Sequence, residues 1–224
     1  MAKRLTFAAR KAVMATLVLS MPWSAAQALI DIQPKVAQMR GESLPISVIN
    51  TGDTPEFVEI KLYLVANPGV PPNQEQLTPL GIVKDPYLYA APFRLSLGPR
   101  QQKQIELTAL KQPEKEMVYR LSVMPQQQAR INGTQSNVML MGLGYMGLVR
   151  QLPAVQTATW RHQCAADGLL LEATGTVRVE FTNLRQHGEP SDDFNVYPGT
   201  PRQIAGKTLS GKAQGNDFTL QCKG

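Results

Sequence analysis

Apolar and polar residues alternate at every second position through much of this chain. In Phe57 to Val65, Val58, Ile60, Leu62 and Leu64 fall on one side and Glu59 and Lys61 on the other. That period of two predicts a strand buried on one face. Leu44-Pro45-Ile46-Ser47-Val48, Gln104-Ile105-Glu106-Leu107 and Tyr119-Arg120-Leu121-Ser122-Val123 carry the same alternation, and Tyr87 to Leu97 is expected to be extended as well. Turn chemistry separates these runs: Asn50-Thr51-Gly52-Asp53-Thr54-Pro55, Gly98-Pro99 and Pro125. Residues 66–80, with four prolines, predict a long loop, and the polar stretch 126–136 a surface loop. Helical periodicity is almost absent. Many short strands at regular spacing predict an all-β protein built of sandwiches. The pattern stops at Leu152-Pro153 and restarts at Leu169-Leu170-Leu171 and Val177 to Phe181, which predicts two of them, over 29–153 and 154–224.

One segment departs from the rest. Residues 138–149, Val-Met-Leu-Met-Gly-Leu-Gly-Tyr-Met-Gly-Leu-Val, contain no charge. Met139, Met141, Leu143 and Tyr145 make one bulky face, and Gly142 and Gly144 lie on the other. Three readings fit such a segment. It is an ordinary core strand; or its Gly142-x-Gly144-x-x-Gly147 binds a dinucleotide; or it is a strand lent to another protein's sheet, main chain pairing with main chain and alternate side chains entering the partner's pockets. The dinucleotide reading needs a helix directly after the glycines, and Leu148-Val149-Arg150-Gln151-Leu152-Pro153 is extended and stopped by proline. A long uncharged strand at a sheet edge invites aggregation unless something covers it, which favours a partner.

The start of the chain changes the reading of its charge. Lys3, Arg4, Arg10 and Lys11, the apolar run Ala12 to Pro22 and the Ala26-Gln27-Ala28 exit have the order of an export signal cleaved after Ala28. The apolar run is shorter than the roughly 20 residues of a membrane span, so no span is expected once the signal is removed. The whole chain carries +6, but residues 29–224 hold 19 basic and 17 acidic side chains, a net of +2. Without a basic stripe, nucleic acid is not an expected partner. In an exported chain Cys164 and Cys222, the only cysteines, are expected to form a structural disulfide. With His162 and His187 as the only histidines, neither a metal site nor an acid–base constellation stands out. The methionines of 138–149 alternate with Leu and Gly as packing residues do, rather than as a copper carrier's ligands. No catalytic residue, cofactor or metal is expected.

Ala91-Pro92-Phe93-Arg94-Leu95-Ser96-Leu97-Gly98-Pro99, Val118-Tyr119-Arg120-Leu121, Gly144 to Pro153, Gly168 to Phe181 and Val196-Tyr197-Pro198-Gly199 occur in an order that resembles the periplasmic pilus-assembly chaperones of the chaperone–usher pathway, and within them the alternate branch serving colonisation-factor pili. Gly98-Pro99 stands where Pro-Gly is commoner in the family. The resemblance implies two immunoglobulin-like β-sandwich domains set at an angle with a cleft between them. It implies a periplasmic location, pilus subunits (the major pilin and the tip adhesin) and an outer-membrane usher as partners, and donor-strand complementation rather than catalysis. On it, Met139, Met141, Leu143 and Tyr145 enter the subunit's groove, methionine suiting varied pockets. The family also holds the subunit's terminal carboxylate with basic cleft residues. Lys35, in Ile32-Gln33-Pro34-Lys35, is the match on the first strand. Met146 or Gly147 stands where the better-known branch has a lysine, which leaves Arg150 or Arg120 as candidates. The alternative is a structural pilus subunit or tip adhesin with immunoglobulin-like domains. A pilin should carry an apolar N-terminal extension, whereas Leu29 to Arg40 is short and contains Lys35.

Overall fold

The computed structural model describes residues 29–126 and 144–222. The expected signal segment 1–28 and the segment carrying Met139, Met141 and Leu143 lie outside the described residues. The chain forms β1 (Ile30–Gln33), β2 (Val36–Met39), β3 (Ser43–Asn50), β4 (Glu56–Val65), β5 (Leu77–Pro79), β6 (Leu88–Ala91), β7 (Arg94–Leu97), β8 (Gln102–Ala109), β9 (Met117–Pro125) and β10 (Tyr145–Gln151). These make two sheets packed face to face. One has the order β1-β3-β8-β6; the other has β2-β10-β9-β4-β5, with β7 also on β4. The alternation expected for Phe57 to Val65 is seen in β4, where Val58, Ile60 and Leu62 are buried with Ile46, Val48, Ile105, Leu107, Tyr119, Leu121 and Val123 in one core.

Two stretches change sheets. Ile30 and Ile32 of β1 fill the core while β1 pairs antiparallel with β3. Beyond Pro34, Val36–Met39 joins the opposite sheet and pairs parallel with β10. Tyr87 to Leu97, expected as one extended run, is likewise two strands. β6 pairs with β8 and β7 with β4, in opposite sheets, with Pro92 between them. Proline has no N–H for a ladder and so sits where one pairing ends and another begins. The expected loop 66–80 contains β5 and a 3-10 turn over Pro72–Gln74. The Asn50 turn is locked by its side chain: Nδ2 donates to the carbonyls of Thr54 (2.7 Å) and Gly98 (2.9 Å), and Oδ1 accepts from the Gly52 N–H (2.9 Å).

The second sandwich comprises β11 (Trp160–Ala165), β12 (Gly168–Ala173), β13 (Val179–Gln186), β14 (Glu189–Pro190), β15 (Phe194–Val196), β16 (Arg202–Ala205), β17 (Thr208–Ala213) and β18 (Asn216–Gln221). Its sheets are β11-β12-β16 and β14-β13-β17-β18, with β15 on β13. Phe181 is fully buried and meets Trp160 and Phe218 edge to face at 5.1 and 5.6 Å, a geometry favoured by the ring quadrupoles. Cys164 and Cys222 are bonded, as expected, with 5.6 Å between their Cα atoms. The bond ties the edge strand β11 of one sheet to the end of β18 in the other, closing a separation of 58 residues, which stabilises by about 4 kcal/mol on the chain-entropy account. Among the described residues no helix is long and apolar enough to cross a membrane.

The two sandwiches meet through a small set of contacts. The Glu116 N–H donates to the Thr176 carbonyl (2.8 Å), and the Arg178 N–H donates to the Glu116 carboxylate (2.8 Å). Arg202 Nη1 donates to the Gly69 carbonyl at 2.6 Å. Tyr197 packs against Val65 and Val118. Gly69 has φ +97°, and a Cβ there would lie 2.8 Å from the Asn195 carbonyl oxygen. Only glycine allows this approach of the two backbones.

Candidate functional site

β10 is the last strand of the first sandwich and the continuation of the uncharged segment. One edge pairs with β9 from Tyr145 to Gln151. The other pairs with β2 only from Leu148 onward. Among the described residues no strand pairs with Tyr145, Met146 or Gly147 on that side, so their main chain is open for a further strand. Side chains alternate along β10. Gly147, Val149 and Gln151 are buried toward the core and Tyr145 packs partly against it. On the opposite face Met146 is 46% exposed, and Leu148 packs against the Val65, Val118 and Tyr197 cluster between the sandwiches. Two glycines permit this packing. A Cβ on Gly147 would lie 2.3 Å from Ile32 Cδ1, and one on Gly144 would meet the Met124 sulfur.

Of the residues expected to bind, Tyr145 and Lys35 are brought together. The Lys35 ammonium lies 5.5 Å from the Tyr145 ring centroid and 3.8 Å from the Asp31 carboxylate, with its side chain 63% exposed. Lys35 is thus a solvated cation beside the free edge of β10.

Arg120 and Arg150 each hold a carboxylate that sequence reasoning did not single out. Arg120, on β9, is flanked in register by Leu148 and Tyr63. Its Nε and Nη2 donate to Glu75 at 2.8 and 2.6 Å, and this bonded carboxylate raises its pKa. Arg150 Nε and Nη2 donate to Glu116 at 2.5 and 3.0 Å. Arg150 therefore differs from its expected place as an anchor: its side chain is 8% exposed and that of Glu116 is fully buried. The second oxygen of Glu116 also accepts the Arg178 N–H, so this pair joins the sandwiches rather than facing a ligand.

A cavity of about 360 Å³ lies between the sandwiches, lined by Arg120, Glu75, Leu148, Arg178, Tyr197 and Arg202 among others. Arg202 stacks on Phe194 with its guanidinium carbon 4.3 Å from the ring centroid, and burial lowers its pKa. Arg178 pairs with Glu180 and donates to the Tyr197 hydroxyl at 3.3 Å, while its Nε is buried without a partner. Among the described residues no cluster of His, Cys, Asp and Glu could hold a metal ion.

No protein-family model matches the sequence, and no curated protein matches it. Solved structures do. A chain of the chaperone–tip adhesin complex of CFA/I fimbriae biogenesis superimposes with a TM-score of 0.67 at 19% identity, over 86% of this chain and 97% of that one. The class 5 fimbriae chaperone CfaA gives 0.65 at 18% identity, over 87% and 99%. A chain of the Salmonella enterica SafA pilin–SafB chaperone complex gives 0.59 at 13% identity, over 89% and 99%. The likeness spans both sandwiches and nearly the whole of each of these chains, and it establishes the fold: two immunoglobulin-like β-sandwiches arranged as in fimbrial chaperones.

Proposed function

We propose that this chain is a periplasmic chaperone that binds pilus subunits by lending them a β-strand, and that it passes them to an outer-membrane usher. The observation that carries the reading is the open edge of β10 at Tyr145–Gly147, in a stretch whose sequence is uncharged and alternating. Main-chain groups on such an edge supply affinity, and alternate side chains supply the fit. Met139, Met141 and Leu143 are the residues proposed to enter the subunit, with Tyr145, partly packed against this chain's own core, as a fourth. Lys35 and Arg120 are the proposed carboxylate anchors; Arg150 is left to hold the sandwiches together. Export would remove residues 1–28, and the two sandwiches divide at Pro153. Lending a strand requires no covalent bond to be made or broken, so the chain is read as a binding protein and not an enzyme.

The reading of a structural subunit is less well supported. A subunit awaiting a partner's strand would have an open groove in its sandwich, whereas β10 closes the first sandwich between β2 and β9.

Periplasmic co-expression with a pilin subunit of the same organism tests the proposal. The wild type should yield a soluble one-to-one complex. Met141→Glu with Leu143→Glu should fold and lose the subunit, because each carboxylate desolvated in an apolar groove costs several kcal/mol. Equal capture by both would overturn the donor-strand reading.

A further inference from the structure

Arg120 sits in the middle of β9 with Leu148 and Tyr63 as its strand neighbours, so the sheet itself offers no acid to the guanidinium. The acid comes from elsewhere. Glu75 is presented by the connection between β4 and β5, directly after the 3-10 turn at Pro72–Gln74. Asn67 braces that connection: its Nδ2 donates to the Gln74 carbonyl (3.0 Å) and its Oδ1 accepts from the Gln76 N–H (2.6 Å). Arg202, from the second sandwich, holds Gly69 of the same connection. The Glu75 carboxylate then meets Arg120 in two parallel bonds, the fork geometry that arginine offers to any carboxylate. The Arg120 side chain is 17% exposed, at the wall of the cavity between the sandwiches.

We infer that Glu75 is a tethered stand-in for a carboxylate of the bound subunit, and that binding exchanges one for the other on Arg120. The inference rests on the chaperone reading above. Charge in the cavity favours exchange over addition. Arg120, Arg178 and Arg202 line it against Glu75, Asp192 and Asp193, three of each sign. A further anion entering beside them would meet no net positive charge, whereas an anion replacing Glu75 inherits a bidentate partner. The displaced Glu75 has a destination. Among the described residues Arg202 has no carboxylate partner, and it already touches the connection that carries Glu75. Occupied in the free chain, Arg120 does not capture stray carboxylates; only a ligand held also along the β10 edge gains enough to displace the tethered one.

The test uses the full exported chain and a co-expressed pilin subunit, with dissociation of the purified complex followed by subunit transfer to a tagged competitor chaperone. Glu75→Gln keeps the shape of the side chain and removes its charge. Freeing Arg120 should tighten the complex by about tenfold, as expected when a binding-competent state is raised from a minor to a major population. Arg120→Met should weaken it, and the gain from Glu75→Gln should vanish in the Arg120→Met background. Glu75→Asp, whose shorter side chain keeps the charge, should shift dissociation in the same direction by less and covers the case in which Glu75→Gln folds poorly. A wild-type complex that Glu75→Gln and Glu75→Asp leave unchanged or weaken overturns this inference alone. A wild type that retains no subunit overturns it together with the chaperone reading.

Discussion

Among the described residues the first sandwich carries two arginine–glutamate pairs with the same bidentate chemistry, and they serve different ends. Arg150–Glu116 is sealed between the sandwiches, with side-chain exposures of 8% and 0%, and its glutamate also accepts a main-chain N–H from the second sandwich. Arg120–Glu75 borders a cavity, with exposures of 17% and 7%, and its glutamate belongs to a surface connection. Ion pairs of one geometry thus differ in function according to what surrounds them. A sealed pair cannot be exchanged, since each partner would be left as an isolated charge in a low-dielectric interior. A pair at a water-accessible cavity can be, since water or a ligand takes the place of the partner that leaves.

Breaking the sealed pair gives the largest expected effect. Glu116→Gln leaves Arg150 buried without its counter-charge and should lower the free energy of unfolding by about 3–5 kcal/mol, read from urea denaturation. Replacing both partners with apolar residues, Glu116→Leu with Arg150→Met, should destabilise less than the single change, because no buried charge remains. The double variant should still fall below the wild type by about 1–2 kcal/mol, the cost of leaving the Arg178 N–H without its acceptor. If the double variant is worse than Glu116→Gln, the pair acts by specific geometry rather than by charge neutralisation. Glu75→Gln should cost only about 1–2 kcal/mol, because the cavity lets water reach Arg120. A loss as large as that of Glu116→Gln would erase the distinction between the two pairs.

Neither pair was legible in the sequence, and the reason is physical. Glu75 and Arg120 are 45 residues apart and Glu116 and Arg150 are 34 apart, and no local pattern marks a side chain that meets its partner only after sheets have formed. Glu75 lies in a proline-rich connection that reads as loop, which it is, and its carboxylate gives no sign of reaching β9. What was legible is what repeats. The period of two in β4 and β9 is enforced by a core on one face and solvent or cleft on the other. The disulfide was legible because the sequence holds two cysteines, which leave one pairing. The separate strands β1 and β2, four residues each, are too short for alternation to register. The sheet change at Pro92 was also hidden: the core positions pass from Leu88 and Ala90 to Leu95 and Leu97, a slip of one residue that the apolar Tyr87, Tyr89 and Phe93 mask in the sequence.

The smallest expected effect tests the opposite face of the same strand. Tyr119, between Val118 and Arg120 on β9, points into the core, fully buried, and its hydroxyl donates to Gln151 Oε1 on β10 at 3.1 Å. The Gln151 amide in turn donates to the carbonyls of Lys111 (2.8 Å) and Tyr87 (3.2 Å). This is a neutral network where the other face has charges, so it isolates the effect of desolvation. Tyr119→Phe should cost about 1 kcal/mol near neutral pH, the value of one buried hydrogen bond. The difference should then shrink at high pH. Burial raises the Tyr119 pKa well above that of an exposed phenol, so the folded chain keeps the proton that the unfolded chain releases above about pH 10. For a group whose folded pKa is raised, the associated stability is complete below the unfolded value and is lost as pH rises toward the folded one. Tyr119→Phe has no phenol at this position and escapes that loss. Urea midpoints of the two chains should therefore converge as pH rises past about 10. Midpoints that stay a constant distance apart would mean that the hydroxyl ionises without penalty and that this face is wetter than its burial indicates.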